Sequence, residues 1–110
     1  MEYKLQDAII AYLKGRKVWH FRYTASTTFG IPDILALYKG HFIGIEVKRE
    51  DGKGRATTLQ EEMIKSIQRN GGLARVVDNI EDVDKLFISL DNITDYSSIE
   101  YIHENWQLHT

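Results

Sequence analysis

The run Ile34-Leu35-Ala36-Leu37-Tyr38-Lys39-Gly40-His41-Phe42-Ile43-Gly44 constrains the fold more than any other stretch of the chain. It reads as two short apolar strands reversing at Lys39-Gly40, a β-hairpin with a two-residue loop. Loop length sets the register, because a slip of one residue would exchange the two faces of each strand. In that register Asp33 faces Glu46 on the neighbouring strand. Like charges placed opposite each other destabilise a sheet, so a folded chain needs a reason to keep them there. A bound divalent cation supplies one. Lys48 lies two residues past Glu46, and its side chain leaves the same face of the strand. Two acids and a lysine on one strand-pair surface are equipment for metal-assisted phosphodiester hydrolysis.

The rest of the chain supplies elements to either side of the hairpin. Glu2 to Lys14 reads as a helix, with Leu5, Ala8/Ile9 and Tyr12/Leu13 on one face and Gly15 placed to end it. Val18 to Tyr23 is aromatic-rich and reads as a first strand. The only proline, Pro32, opens the second strand, where a missing N–H is tolerated. The third strand runs from about His41 to Lys48. Thr57-Thr58-Leu59-Gln60 has the spacing of a capping box and opens a helix through Asn70, with Met63, Ile64 and Ile67 as its buried stripe. Leu73 to Val77 reads as a strand. A helix follows from Asp78-Asn79, with Val83, Leu86, Phe87 and Leu90 inward. A last helix is expected from Ser97 or Ser98, with Ile99, Ile102 and Trp106 at helical spacing. The expected fold class is α/β, in the order α-β-β-β-α-β-α: a mixed central sheet flanked by helices, with a C-terminal helical appendage.

The chain has 110 residues, enough for one domain with a core of its own. Residues 1–91 read as that domain, and residues 92–110 as an acidic appendage packed on it. There is no cysteine, which excludes disulfides and thiolate-bound metals. With 43% apolar and 27% charged residues, disorder is disfavoured. No apolar signal region opens the chain, so an intracellular protein is expected. The net charge of −2 hides a division. Residues 1–77 carry 13 Lys and Arg against 8 Asp and Glu, a net +5. Residues 78–110 carry Lys85 against 8 acids, a net −7. Such asymmetry hints at nucleic acid on one side; the plainer reading is an acidic segment lying away from any site.

The element order, together with Gly30-Ile31-Pro32-Asp33 and Ile45-Glu46-Val47-Lys48, resembles the PD-(D/E)XK nuclease superfamily. More narrowly it is similar to the VRR-NUC (virus-type replication-repair nuclease) family. Glu2-Tyr3-Lys4-Leu5-Gln6, Leu59-Gln60 and Gly71-Gly72-Leu73-Ala74-Arg75 add local likeness, over roughly residues 2 to 90. The resemblance implies a restriction-endonuclease-like core and divalent-metal-dependent cleavage of DNA leaving a 5′-phosphate. For a chain of this size it implies a homodimer acting on branched DNA, in the manner of Holliday-junction resolvases. A nuclease of duplex, single-stranded DNA or RNA, or a non-catalytic nucleic-acid-binding module, are the alternatives.

Asp33 and Glu46 are the expected metal ligands, and oxygen-only ligation suits Mg²⁺ or Mn²⁺. By resemblance the backbone carbonyl of Val47 joins them, Glu2 supports the site from the first helix, and Gln60 hydrogen-bonds near the attacking water. Lys48 is expected to orient that water or to stabilise charge on phosphorus. Each has a plainer reading. Glu46 and Lys48 make an exposed salt bridge, worth about 0–1 kcal/mol. Glu2 complements a helix dipole, and Gln60 merely caps a helix with Thr57. Arg22, Arg49, Lys53 and Arg55, with Thr27 and Thr28, are candidate phosphate contacts, which would make binding steeply salt-dependent. His41 falls on the strand face opposite Glu46 and is excluded as a ligand; His103 and His109 are assigned no metal.

Overall fold

The structure is a computed structural model and describes residues 3–24, 29–48, 56–93 and 96–106. Apolar residues at helical spacing build α1 (Tyr3–Gly15), which buries Leu5, Ile9 and Leu13. The stripe follows the i, i+4 line through these three, so Ala8 faces solvent and Gln6 is buried instead. Gly15 is the last helical residue, but the left-handed position falls on Lys17, at φ 58°. There Val18 N–H donates to the Leu13 carbonyl (3.0 Å) and Lys17 N–H to that of Lys14 (3.0 Å). These are the paired bonds of a Schellman end.

Four strands follow the expected order: β1 (Trp19–Arg22), β2 (Ile34–Tyr38), β3 (His41–Val47) and, after α2 (Thr58–Arg69), β4 (Leu73–Val77). The sheet runs β1-β2-β3-β4, with the first two pairings antiparallel and β3–β4 parallel. The β2–β3 register runs from Tyr38↔His41 to Ile34↔Ile45. The hairpin therefore turns at Lys39-Gly40, as expected. Lys39 (φ 50°) and Gly40 (φ 83°) are both left-handed, which is what a two-residue turn matching the twist of its strands requires. The capping box forms in full: Thr57 Oγ1 accepts from Gln60 N–H, and Gln60 Oε1 accepts from Thr57 N–H. Asn79 caps α3 (Ile80–Asp91) by accepting from Asp82 N–H. The last helix is α4 (Tyr96–Asn105).

Strand alternation divides the molecule into layers. Ile34 and Ala36 of β2, Ile43, Ile45 and Val47 of β3, and Leu73 and Val77 of β4 form one core with α1 and α3. Val83, Leu86, Phe87 and Leu90 of α3 all point into it, and α4 adds Ile102 and Trp106. The appendage thus packs on the same core, while Tyr101 stays exposed. On the other face of the sheet α2 packs against β3 and β4. There Ile67 approaches Gly44 and Gly72 so closely that a Cβ at either glycine would crowd it. Among the described residues no helix is long and apolar enough to cross a membrane.

Candidate active site

The hairpin register, extended one residue beyond Ile34↔Ile45, brings Asp33 opposite Glu46. Tyr23 N–H donates to the Asp33 carbonyl (2.8 Å), continuing the β1–β2 ladder to this point. One residue earlier the chain has left the ladder at a bend, and Pro32 packs over Gly44 on the carboxylate face. A paired strand residue presents its N–H and C=O to the same neighbour. The Val47 N–H turns to Asp33, donating to Oδ2 at 2.8 Å. Asp33 is fixed by the strand that carries Glu46, and the Val47 carbonyl is directed to the same edge.

Gly30 explains how the loop before Asp33 reaches this position. Its φ is 69°, and a Cβ there would come within 2.5 Å of the Leu59 carbonyl. Only glycine permits both the left-handed backbone and that approach to the start of α2. The same approach brings Gln60 to Glu46. The Gln60 side-chain amide donates to Glu46 Oε2 (3.0 Å) while its carbonyl completes the capping box. Gln60 thus caps α2 and touches Glu46 with the same side chain.

Lys48 Nζ stands 3.1 Å from the same Glu46 Oε2. This is not the exposed salt bridge of the plainer reading: the Glu46 side chain is 2% exposed and that of Lys48 is 15% exposed. Glu46 Oε1 is buried and has no hydrogen-bond partner among the described residues. Burial pushes the Glu46 carboxyl up to about 7, the negative charge of Asp33 adds to the rise, and Lys48 opposes it.

A buried carboxylate with an unpartnered oxygen, beside a second carboxylate, a directed carbonyl and an ammonium group, is costly without a cation. The donor set is oxygen only, which fits Mg²⁺ or Mn²⁺. Asp33, Glu46 and the Val47 carbonyl are the groups that could hold it.

Arg22 does not join this cluster. It pairs with Ile34, a core residue, so its side chain leaves the opposite face of the sheet and meets Asp7 of α1 at 2.7 Å. Glu2, Thr27, Thr28, Arg49, Lys53 and Arg55 lie outside the described residues. His41 faces the α1–α3 layer, where burial and the charge of His103 lower its pKa. A cleft of about 370 Å³ between α3 and α4 also lies in that layer. Its guanidinium, Arg75, is committed to Asp82 (2.8 Å) and to the carbonyls of Val76 and Trp106.

The same alternation puts Trp19, Phe21, Leu37 and Phe42 on the face of Asp33 and Glu46, all of them exposed. Sequence reading placed Trp19 and Phe21 on a strand without assigning them a face. Counting across both registers would have done so. Comparison of the chain with protein-family models, with curated proteins and with solved structures finds no match.

Proposed function

We propose that the chain is a divalent-metal-dependent DNA endonuclease with a restriction-endonuclease-like core, acting as a homodimer on branched DNA. One observation carries the reading. Glu46 is held in the sheet interior beside Asp33, with one carboxylate oxygen unpartnered among the described residues. That arrangement makes sense as one side of a cation site. When bound, Mg²⁺ or Mn²⁺ supplies Lewis-acid polarisation of a phosphoryl oxygen and acidifies water.

The chain's own groups do the positioning. Asp33 and Glu46 carry the negative charge that holds the cation, with the Val47 carbonyl as a neutral third donor. Lys48 sets an ammonium group where charge develops on the scissile phosphate, in a largely water-excluded position where electrostatic stabilisation is strong. Gln60 fixes the Glu46 carboxylate and is itself fixed by Thr57. A second copy would supply one such site to each strand of a branch.

The test uses the whole chain on supercoiled plasmid, linear duplex, a flap and a four-way junction, each with Mg²⁺, Mn²⁺ or EDTA. Cleavage is expected with either metal, none in EDTA, and fastest on the junction. Glu46→Gln and Lys48→Met are each expected to lower the rate by at least about 100-fold, the scale of removing one charge-stabilising group. Equal cleavage by wild type and both variants would refute the nuclease reading. Preference for duplex ends would refute the branch preference alone.

A further inference from the structure

We propose that the open half of the sheet face beside the carboxylates is a stacking platform for unpaired bases of the strand being cut. The proposal rests on the endonuclease reading and names its substrate: nucleotides out of the duplex.

The registers lay the platform out in rows. Trp19, Leu37 and Phe42 form one row across β1, β2 and β3; Phe21, Leu35 and Gly44 form the next. The third row on the same face is Asp33 and Glu46. Successive rows on one face are two residues apart, about 7 Å at the rise of a strand. Phe21 therefore lies one row from the carboxylates and Trp19 two.

These side chains are strongly exposed for their size: Trp19 62%, Phe21 51%, Leu37 48% and Phe42 43%. Taking 150–250 Å² for an aromatic side chain, the four present on the order of 400 Å² of apolar surface. A stable dimer buries about 800 Å² per partner, so the patch is only half what a second copy needs. Aromatic rings in rows near a phosphodiester site suit bases better, since every base has a π-face to stack.

Spacing narrows the occupant further. Bases within a duplex lie about 3.4 Å apart along each strand, and their faces are covered by their neighbours. Rings about 7 Å apart cannot each receive a base from an intact stack. They can receive bases that are already splayed. The acid-rich part of the chain, residues 78–110, supplies α3 and α4, which pack in the layer on the far side of the sheet. The platform lies on the side away from those acids, while the far layer also carries Lys4 and Lys14 of α1 and the near one Glu61 and Glu62 of α2. A cleft of about 300 Å³ continues it from Phe42 toward α2, walled by Ser66 and Asn70, whose polar groups suit a base edge.

The test measures binding in EDTA, where the carboxylate site is idle, and cleavage in Mn²⁺ separately. A labelled single-stranded oligothymidine and a hairpin duplex of equal length are titrated with wild type, Trp19→Ala, Phe21→Ala and Trp19→Phe. The single strand is expected to bind more tightly than the duplex. Each alanine variant is expected to weaken it by about 5- to 150-fold, the scale of one base–aromatic stack. Trp19→Phe is expected to keep most of the affinity, and Trp19 emission to be quenched on binding. Thermal melts verify that these exposed substitutions leave the fold intact.

Equal binding of both probes, unchanged in the alanine variants, overturns the platform. So does loss of self-association in Trp19→Ala with no change in affinity, which would make the face an interface between copies. If wild type cleaves in Mn²⁺ while the alanine variants still bind and cut single strands normally, the platform fails and the nuclease stands. If nothing is cleaved but the ring-dependent loss of binding persists, the platform stands and the nuclease falls.

Discussion

Glu46 concentrates the energetic cost of the site in one side chain. Its carboxyl sits at about 7 rather than the ordinary 4.5 because burial penalises the anion and Asp33 repels it. A raised pKa means that the folded state binds the proton more tightly than the unfolded state. Below about 4.5 both states are protonated and no stability is lost to this group. As pH rises from 4.5 through 7 the unfolded chain ionises first, and stability falls by on the order of 3 kcal/mol before levelling off. Urea unfolding of the metal-free protein should therefore show lower stability at pH 8 than at pH 5. Glu46→Gln should remove most of that slope and be the more stable protein at pH 8. Mg²⁺ at 100 times its dissociation constant should restore about 2.7 kcal/mol to wild type at pH 8, and nothing to Glu46→Gln. A variant that keeps the full slope would place the titration elsewhere.

At the scale of elements, the start of α2 joins folding to the site. Thr57 and Gln60 cap the helix, and the Gln60 amide that is left over holds Glu46. The two roles separate by mutation. Thr57→Ala removes a capping acceptor and should cost about 1 kcal/mol, equally at pH 5 and pH 8. Gln60→Glu keeps a side chain that suits the box but adds a third carboxylate beside Glu46 and Asp33. It should cost little at pH 5 and clearly more at pH 8. Equal costs at both would mean that Gln60 serves the helix alone. This start was legible in the sequence because Thr57 and Gln60 are local partners, as Lys39-Gly40 was legible because two residues set a register. What was not legible depends on remote partners. Arg75 lies within an apolar strand and is buried there because Asp82 and the Trp106 carbonyl, 31 residues away, take up its guanidinium. The left-handed end of α1 fell on Lys17, since the bonds to Leu13 and Lys14, not the glycine, decide where the chain turns. For Trp19 and Phe21, strand alternation alone leaves the face open. Pairing with Leu37 and Leu35 is what sets them beside the carboxylates and sends Arg22 to Asp7.

Over the whole molecule, the acids of α3 and α4 lie across the sheet from the carboxylate face, and that separation predicts how a net-negative chain can hold a polyanion. Glu81 on α3 and Glu100 and Glu104 on α4 are exposed on the layer across the sheet from α2 and the carboxylate face. The smallest principal extent of the molecule is 24 Å, about three Debye lengths at 0.15 M salt and less than one at 0.01 M. Near physiological salt those acids should be screened from DNA bound on the opposite face; at low salt they should repel it. Replacing all three by glutamine moves the formal net charge from −2 to +1. The change should leave the dissociation constant of a bound oligonucleotide within about twofold at 0.15 M, yet speed association at 0.01 M, where long-range steering dominates. An equally large gain in affinity at both salt concentrations would point instead to close contact between these acids and the nucleic acid. The binding face would then have to include α3 and α4, and the layered picture would fail.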